Sequence, residues 1–211
     1  MAVYDLEEQE KLDELKAWWK HWGNAIIAAV SVFVIVFSGI QWWRSHQRSM
    51  AGEASALYSS VTKLATEGDP KKVAAATKTL TDKYAASAYA SRAALVAAKT
   101  AFDKGDLLSA RSQLEWVVAN AKEEEVKAIA RLRLAAVLGD EKNFEGALRQ
   151  LDANTNPGFE AATAALRGDI LFAQGKLADA KNAYSMAIAK TEPQGDKQLL
   201  QLKLDSLGVS K

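Results

Sequence analysis

Two histidines and no cysteine are all that this 211-residue chain offers to the commonest nucleophile–base and zinc chemistry. A zinc centre needs three or four converging His, Cys or carboxylate ligands, and an activated nucleophile needs a base within hydrogen-bond reach. His21 and His46 stand on opposite sides of a long apolar run, so they serve neither purpose. His46, close to Arg44, reads as an interfacial side chain. Without cysteine there are no disulfides and no thiolate metal sites, in an oxidising or a reducing compartment alike. No glycine-rich loop is present to cradle a phosphate. Glu123-Glu124-Glu125 could attract a cation, but three acids at a helix start are favoured by the helix dipole and by solvent. Arg167-Gly168-Asp169 would be an adhesion motif in a loop. Here it falls inside a helical pattern, with Gly168 at a small position where helices pack. The reading is no catalytic residues, no metal, no cofactor and no enzyme.

The elements that place these residues begin with the apolar run itself. Gly23 to Ile40 carries no charge, with Trp18, Trp19 and Trp22 before it and Trp42 and Trp43 after it. At about 1.5 Å per helical residue, Trp22 and Trp42 stand roughly 30 Å apart, the thickness of a bilayer's hydrocarbon core. Indole rings prefer the boundary between water and lipid. The hydroxyls of Ser31 and Ser38 can bond back to a carbonyl one turn earlier and so cost little in lipid. A cleaved signal peptide would have a short basic start and small residues just after the apolar stretch. The sequence QWWRSHQR follows instead, so residues 23–43 read as an uncleaved transmembrane anchor, with the bilayer as its first partner.

Lys11, Lys16 and Lys20 precede the span, and Arg44 and Arg48 follow it. By the positive-inside rule this favours a cytoplasmic N-terminus. Residues 1–24 hold six acids and three lysines, with Leu12, Leu15, Trp18, Trp19 and Trp22 at helical spacing. Residues 1–22 therefore read as an acidic amphipathic cytoplasmic segment. The part from Arg44 onward carries 24 basic and 20 acidic residues, too weak and too dispersed a charge for nucleic acid.

That C-terminal part repeats. DKGDLLSARSQL from Asp103, DEKNFEGALRQL from Asp140 and AQGKLADAKNAY from Ala173 align on a turn signal, then Leu107, Phe144 or Leu177. Next come Ala110, Ala147 or Ala180, and one turn later Leu114, Leu151 or Tyr184. The alanines are 37 and 33 residues apart, a period of helix–turn–helix arrays. A small side chain where two helices cross lets their backbones approach, and the bulky one fills the gap. Gly105 and Gly175 supply a left-handed helix end. Lys142 replaces glycine in the middle repeat and puts that turn's geometry in question. A degenerate earlier hairpin, Ala54–Glu67 and Lys71–Tyr84, is in phase, since Gly68 precedes Gly105 by 37 residues. Lys197–Leu207 reads as a capping helix. The three prolines, Pro70, Pro157 and Pro193, fall between helices. The fold class is all-α: a single N-terminal transmembrane helix, then an α-solenoid of about four tetratricopeptide-like helical hairpins with a C-terminal capping helix, over residues 44–211.

In such a stack the first helix of each pair lines a groove suited to an unfolded segment or a partner's helix. The candidates there are Arg92, Leu95, Lys99, Phe102, Leu132, Ala136, Asp169 and Phe172, although Leu95, Phe102 and Phe172 also suit a core. On the membrane helix Ala28, Ser31 and Ser38 share a face where another helix could approach, or where the helix simply meets lipid.

The whole layout resembles the YfgM-type ancillary subunits of the SecYEG translocon, a membrane-anchored tetratricopeptide-repeat-like family. The pieces that carry the resemblance are the tryptophan-flanked anchor with Trp43-Arg44-Ser45-His46-Gln47, Leu132-Arg133-Leu134-Ala135, Leu166-Arg167-Gly168-Asp169 and the ending LLQLKLDSL. The resemblance implies a bacterial inner-membrane protein with its C-terminal domain in the periplasm. It implies association with SecYEG and with a membrane-anchored periplasmic chaperone of the prolyl-isomerase-like class. Unfolded secreted or outer-membrane proteins would be the clients, and a role in envelope-stress signalling is a secondary implication. Alternatives are a generic scaffold for another envelope complex, and a signalling protein whose acidic tail restrains a regulator.

Overall fold

The computed structural model describes residues 2–191 and 197–208, and side chains within those ranges from residue 11 onward. All regular structure among them is helical: α1 (Ala2–Glu67), α2 (Pro70–Lys83), α3 (Ala88–Asp103), α4 (Leu107–Asn120), α5 (Glu124–Asp140), α6 (Phe144–Asp152), α7 (Glu160–Ala173), α8 (Leu177–Lys190) and α9 (Lys197–Ser206). A single 3-10 turn, Pro157–Phe159, precedes α7. The chain divides into two compact units, Met1–Ala51 and Gly52–Lys211.

In the first unit the chain follows α1 without interruption. Among the described residues this is the one helix long and apolar enough to cross a membrane, and only 6% of its most apolar window is buried. A core helix would be mostly covered, so the bare surface fits a lipid-facing anchor. Phe33 is 68% exposed and Ile35 70%. Ser31 donates its hydroxyl to the Ile27 carbonyl one turn earlier, at 2.7 Å. Ser38 makes no such bond among the described residues. At the two ends the aromatic side chains pack along the helix. The Trp19 indole covers Gly23, and Trp42 stacks on His46 with ring centroids 5.8 Å apart.

The second unit is a stack of four hairpins with a cap. The end of α1 pairs with α2, α3 with α4, α5 with α6 and α7 with α8, while α9 packs on α8. Antiparallel pairing in the first hairpin is fixed at its open end by Tyr84, whose hydroxyl donates to Glu53 Oε2 at 2.6 Å. The repeat pattern explains the core. Ala110, Ala147 and Ala180 are fully buried, and Leu114, Leu151 and Tyr184 fill the space one turn later. Trp116 packs against the clusters of the first and middle hairpins, and Leu148 against those of the middle and last, so neighbouring repeats share their apolar surface.

Each tight turn is built alike. Gly105 (φ 76°), Lys142 (φ 61°) and Gly175 (φ 76°) occupy the left-handed region. Each donates its N–H to the carbonyl three residues back, and the next residue donates to the carbonyl five back: Asp106 to Ala101, Asn143 to Leu138 and Lys176 to Leu171. This double bond pattern satisfies carbonyls that a helix end would leave bare. Lys142 thus adopts the glycine geometry in spite of its Cβ, and the middle turn is preserved. The residue after the left-handed one then starts the next helix. Asp106 Oδ1 accepts from the Ser109 N–H and Asn143 Oδ1 from the Gly146 N–H, each at 3.0 Å. Pro70 opens α2 and Pro157 opens the 3-10 turn, where the missing N–H costs nothing. Pro193 lies outside the described residues.

Candidate partner-binding groove

One face of α3 carries Arg92, Leu95, Lys99 and Phe102 at steps of three and four, so helical geometry alone puts them in a row. Stacking of α3 on α5 and on the end of α1 turns that row into the floor of a groove. Its larger part, about 450 Å³, lies among Tyr58 and Thr66 of α1, Arg92, Leu95 and Lys99 of α3 and Arg133 of α5. A neighbouring pocket of about 310 Å³ has Ala98, Leu114, Ala136 and Val137 as its apolar lining, with Phe102 at its side. Lys99, Asp103 and Arg133 line both and join them. Ala98 on α3 and Ala136 on α5 make the pocket possible, because longer side chains there would fill it.

Charge is distributed unevenly around the groove. Arg92 binds Glu123, the residue before α5, through Nη2 to Oε2 at 2.9 Å, and so ties the start of α3 to the start of α5. Lys99 Nζ lies 2.6 Å from Asp103 one turn on. Arg133 is exposed and makes no hydrogen bond or ion pair with any described residue. At the neighbouring helix start, Glu124 accepts from Lys127, and that bond holds its carboxyl below the usual range. Two charges of the acidic run are therefore already engaged, Glu123 by Arg92 and Glu124 by Lys127. No group of three or more His, Cys, Asp or Glu side chains converges among the described residues.

Of the groove candidates, the structure brings Arg92, Leu95, Lys99, Phe102 and Ala136 together. Leu132 is half-buried against the middle core. Asp169 and Phe172 line neither cleft. Phe172 is 51% exposed. Asp169 is engaged by the end of the stack: Tyr184 donates its hydroxyl to Oδ1 at 2.7 Å, and Lys203 of α9 reaches both oxygens at 2.6 and 2.8 Å. Arg167 binds Asp152 of α6 at 2.6 Å, so the Arg-Gly-Asp tripeptide is spent on joining α7 to its neighbouring helices. Ala28, Ser31 and Ser38 are all exposed on α1. Arg133, Asp103 and Tyr58 are groove residues that periodicity did not single out. Arg133 was within reach of the pattern, standing three residues before Ala136 on the same helix face. Tyr58 was not, because it comes from the degenerate first hairpin.

Nearly the whole chain, residues 16–209, matches a family model described as a tetratricopeptide repeat-like domain. Similar bacterial proteins are named "Ancillary SecYEG translocon subunit". The Neisseria gonorrhoeae protein is 33% identical over 98% of this chain and all of its own length. The Escherichia coli K12 protein is 29% identical over 99% of this chain and all of its own. The Haemophilus influenzae protein is 31% identical over 97% of this chain and all of its own.

Proposed function

The chain belongs to the tetratricopeptide repeat-like family that these ancillary SecYEG translocon subunits represent, and from that premise we propose that it is itself a non-enzymatic ancillary subunit of the SecYEG translocon. The observation that carries this reading is end-to-end likeness: the relatives are matched over their full length, anchor and repeat domain together. A repeat domain alone would say little, since such stacks serve many functions.

In this reading α1 holds the protein in the inner membrane beside the translocon, with the N-terminus cytoplasmic and the repeat domain periplasmic. Residues 1–22 form the acidic cytoplasmic segment, 23–43 the span and 44–211 the periplasmic part. The three lysines before the span against two arginines after it support this orientation. The repeat domain receives secreted or outer-membrane proteins as they emerge unfolded, and passes them to a membrane-anchored prolyl-isomerase-like chaperone. The α3–α5 groove, with its apolar pocket and cationic rim, suits an unfolded segment. Ala28, Ser31 and Ser38 offer the membrane helix a face of small side chains for close approach.

Site-specific photo-crosslinking in cells tests this, with a probe at Phe102, at Phe172 and at Ser31 and adducts identified by mass spectrometry. Adducts to translocon or chaperone subunits are the expected result. Adducts only to unrelated envelope proteins would leave a scaffold for another complex. A role for the acidic tail in envelope-stress signalling is separable, because deleting residues 1–20 should abolish signalling and spare the translocon adducts.

A further inference from the structure

The groove between the end of α1, α3 and α5 has a charge pattern that specifies more than an apolar ligand. Of the side chains lining its two joined parts, Arg92, Lys99 and Arg133 are cationic and Asp103 alone is acidic. Asp103 is engaged by Lys99 and Arg92 by Glu123, which leaves Arg133 as the guanidinium without an anion among the described residues. Arg133 also borders both parts, so an anion on it stands at the mouth of the apolar pocket. That pocket, about 310 Å³ with Ala98, Leu114, Ala136 and Val137 in its lining, has room for one large side chain. Phe102, 41% exposed, gives such a side chain an aromatic neighbour.

We propose that this groove docks an extended segment of a partner polypeptide in which a carboxylate side chain adjoins a large apolar one. The carboxylate pairs with Arg133, and the apolar side chain enters the pocket beside Phe102. The row from Arg92 to Phe102 spans roughly 15 Å of helix, which about five residues of extended chain cover. Guanidinium and carboxylate match as a two-pronged pair, and this fixes where the neighbouring side chain falls. The proposal rests on the adaptor reading above and adds the chemistry of what is recognised.

The test uses the full chain in detergent and three fluorescent nine-residue peptides on a Gly/Ser background. One carries an Asp-Phe pair, one Lys-Phe and one Asp-Ser, and binding is read by anisotropy. The Asp-Phe peptide should bind about tenfold or more tighter than either twin, the scale of one charge-assisted bond or one buried aromatic ring. Arg133→Glu should reverse the preference toward Lys-Phe. Ala136→Leu, which fills the pocket, should remove the advantage of Phe over Ser. Thermal melting of both variants checks that the fold is kept. Equal binding of the three peptides, or a preference that Arg133→Glu leaves unchanged, overturns the proposal. Co-purification of SecYEG with the wild-type chain is measured in parallel. Translocon retained without peptide preference removes this inference alone, whereas peptide preference without translocon supports the groove chemistry and removes the adaptor reading.

Discussion

Gly168 of α7 lies directly under the ring of Tyr184 of α8, so close that a Cβ on residue 168 would stand 2.5 Å from Tyr184 Cε1. The missing side chain is what lets the last hairpin close, and it sets the position from which Tyr184 reaches Asp169. Gly168→Ala would improve local helix propensity by about 1 kcal/mol but overpack the crossing by about 1–3 kcal/mol. The expected outcome is a net loss of stability on denaturant unfolding, with α9 loosened, as its Lys203 shares Asp169 with Tyr184.

The left-handed lysine predicts the opposite sign. Lys142→Gly should stabilise the middle turn by about 0.5–1 kcal/mol, because a Cβ at positive φ costs about 1–2 kcal/mol and the looser glycine chain gives back part of it. Gly105→Ala, at the equivalent position with φ 76°, should destabilise the preceding turn by a similar amount. Urea unfolding of both variants in one detergent checks the pair. A loss in Lys142→Gly would mean that the lysine side chain does something beyond this turn.

Alkaline stability should depend on Tyr184. Burial pushes its hydroxyl well above the usual tyrosine range, and the hydrogen bond to Asp169 pushes in the same direction. A group whose folded pKa is raised contributes stability that is complete below the unfolded value, about 10, and lost as pH rises toward the folded one. Between pH 8 and about 11 the wild type should therefore lose more unfolding free energy than Tyr184→Phe. Parallel pH profiles for the two proteins would show a burial effect of no consequence.

Acid stability should depend on Asp106. Its bonds to the Ser109 side chain and then to the Ser109 N–H hold the carboxyl below the usual range. Here the sign reverses: the contribution is present above the unfolded value, about 4, and fades as pH falls through the folded one. Asn also accepts a cap bond and does not titrate. Asp106→Asn should match the wild type at pH 7 and lose less stability between about pH 4 and pH 2, as read by thermal melting.

The membrane reading predicts that Val32→Arg, near the middle of the apolar run, costs about 3 kcal/mol of insertion. Part of the variant should then appear in the soluble fraction after alkaline carbonate extraction, while the wild type stays with the membranes. Complete retention of the variant would count against a span centred on this run.

The sequence by itself determined whatever is local and periodic in this protein. Tryptophans at both ends of a charge-free run, an alanine and a bulky residue one turn apart every 33 to 37 positions, and glycines at the turns each act within about one helical turn of where they stand. Their consequences, the long apolar helix, the hairpins and the left-handed helix ends, could be read directly, and Lys142 shows a turn strong enough to hold without its glycine. What only the tertiary structure decided are meetings between distant residues. Periodicity placed Asp169 on the groove face beside Lys99 and Phe102. The crossing of α7 with α8 and the docking of α9 give it instead to Tyr184 and Lys203, 15 and 34 residues away. Stacking of successive hairpins brings Tyr58, Lys99 and Arg133 to one groove. Helical spacing states which residues share a face. It does not state the crossing angle between faces, because that angle is set by how side chains from several helices interlock at once.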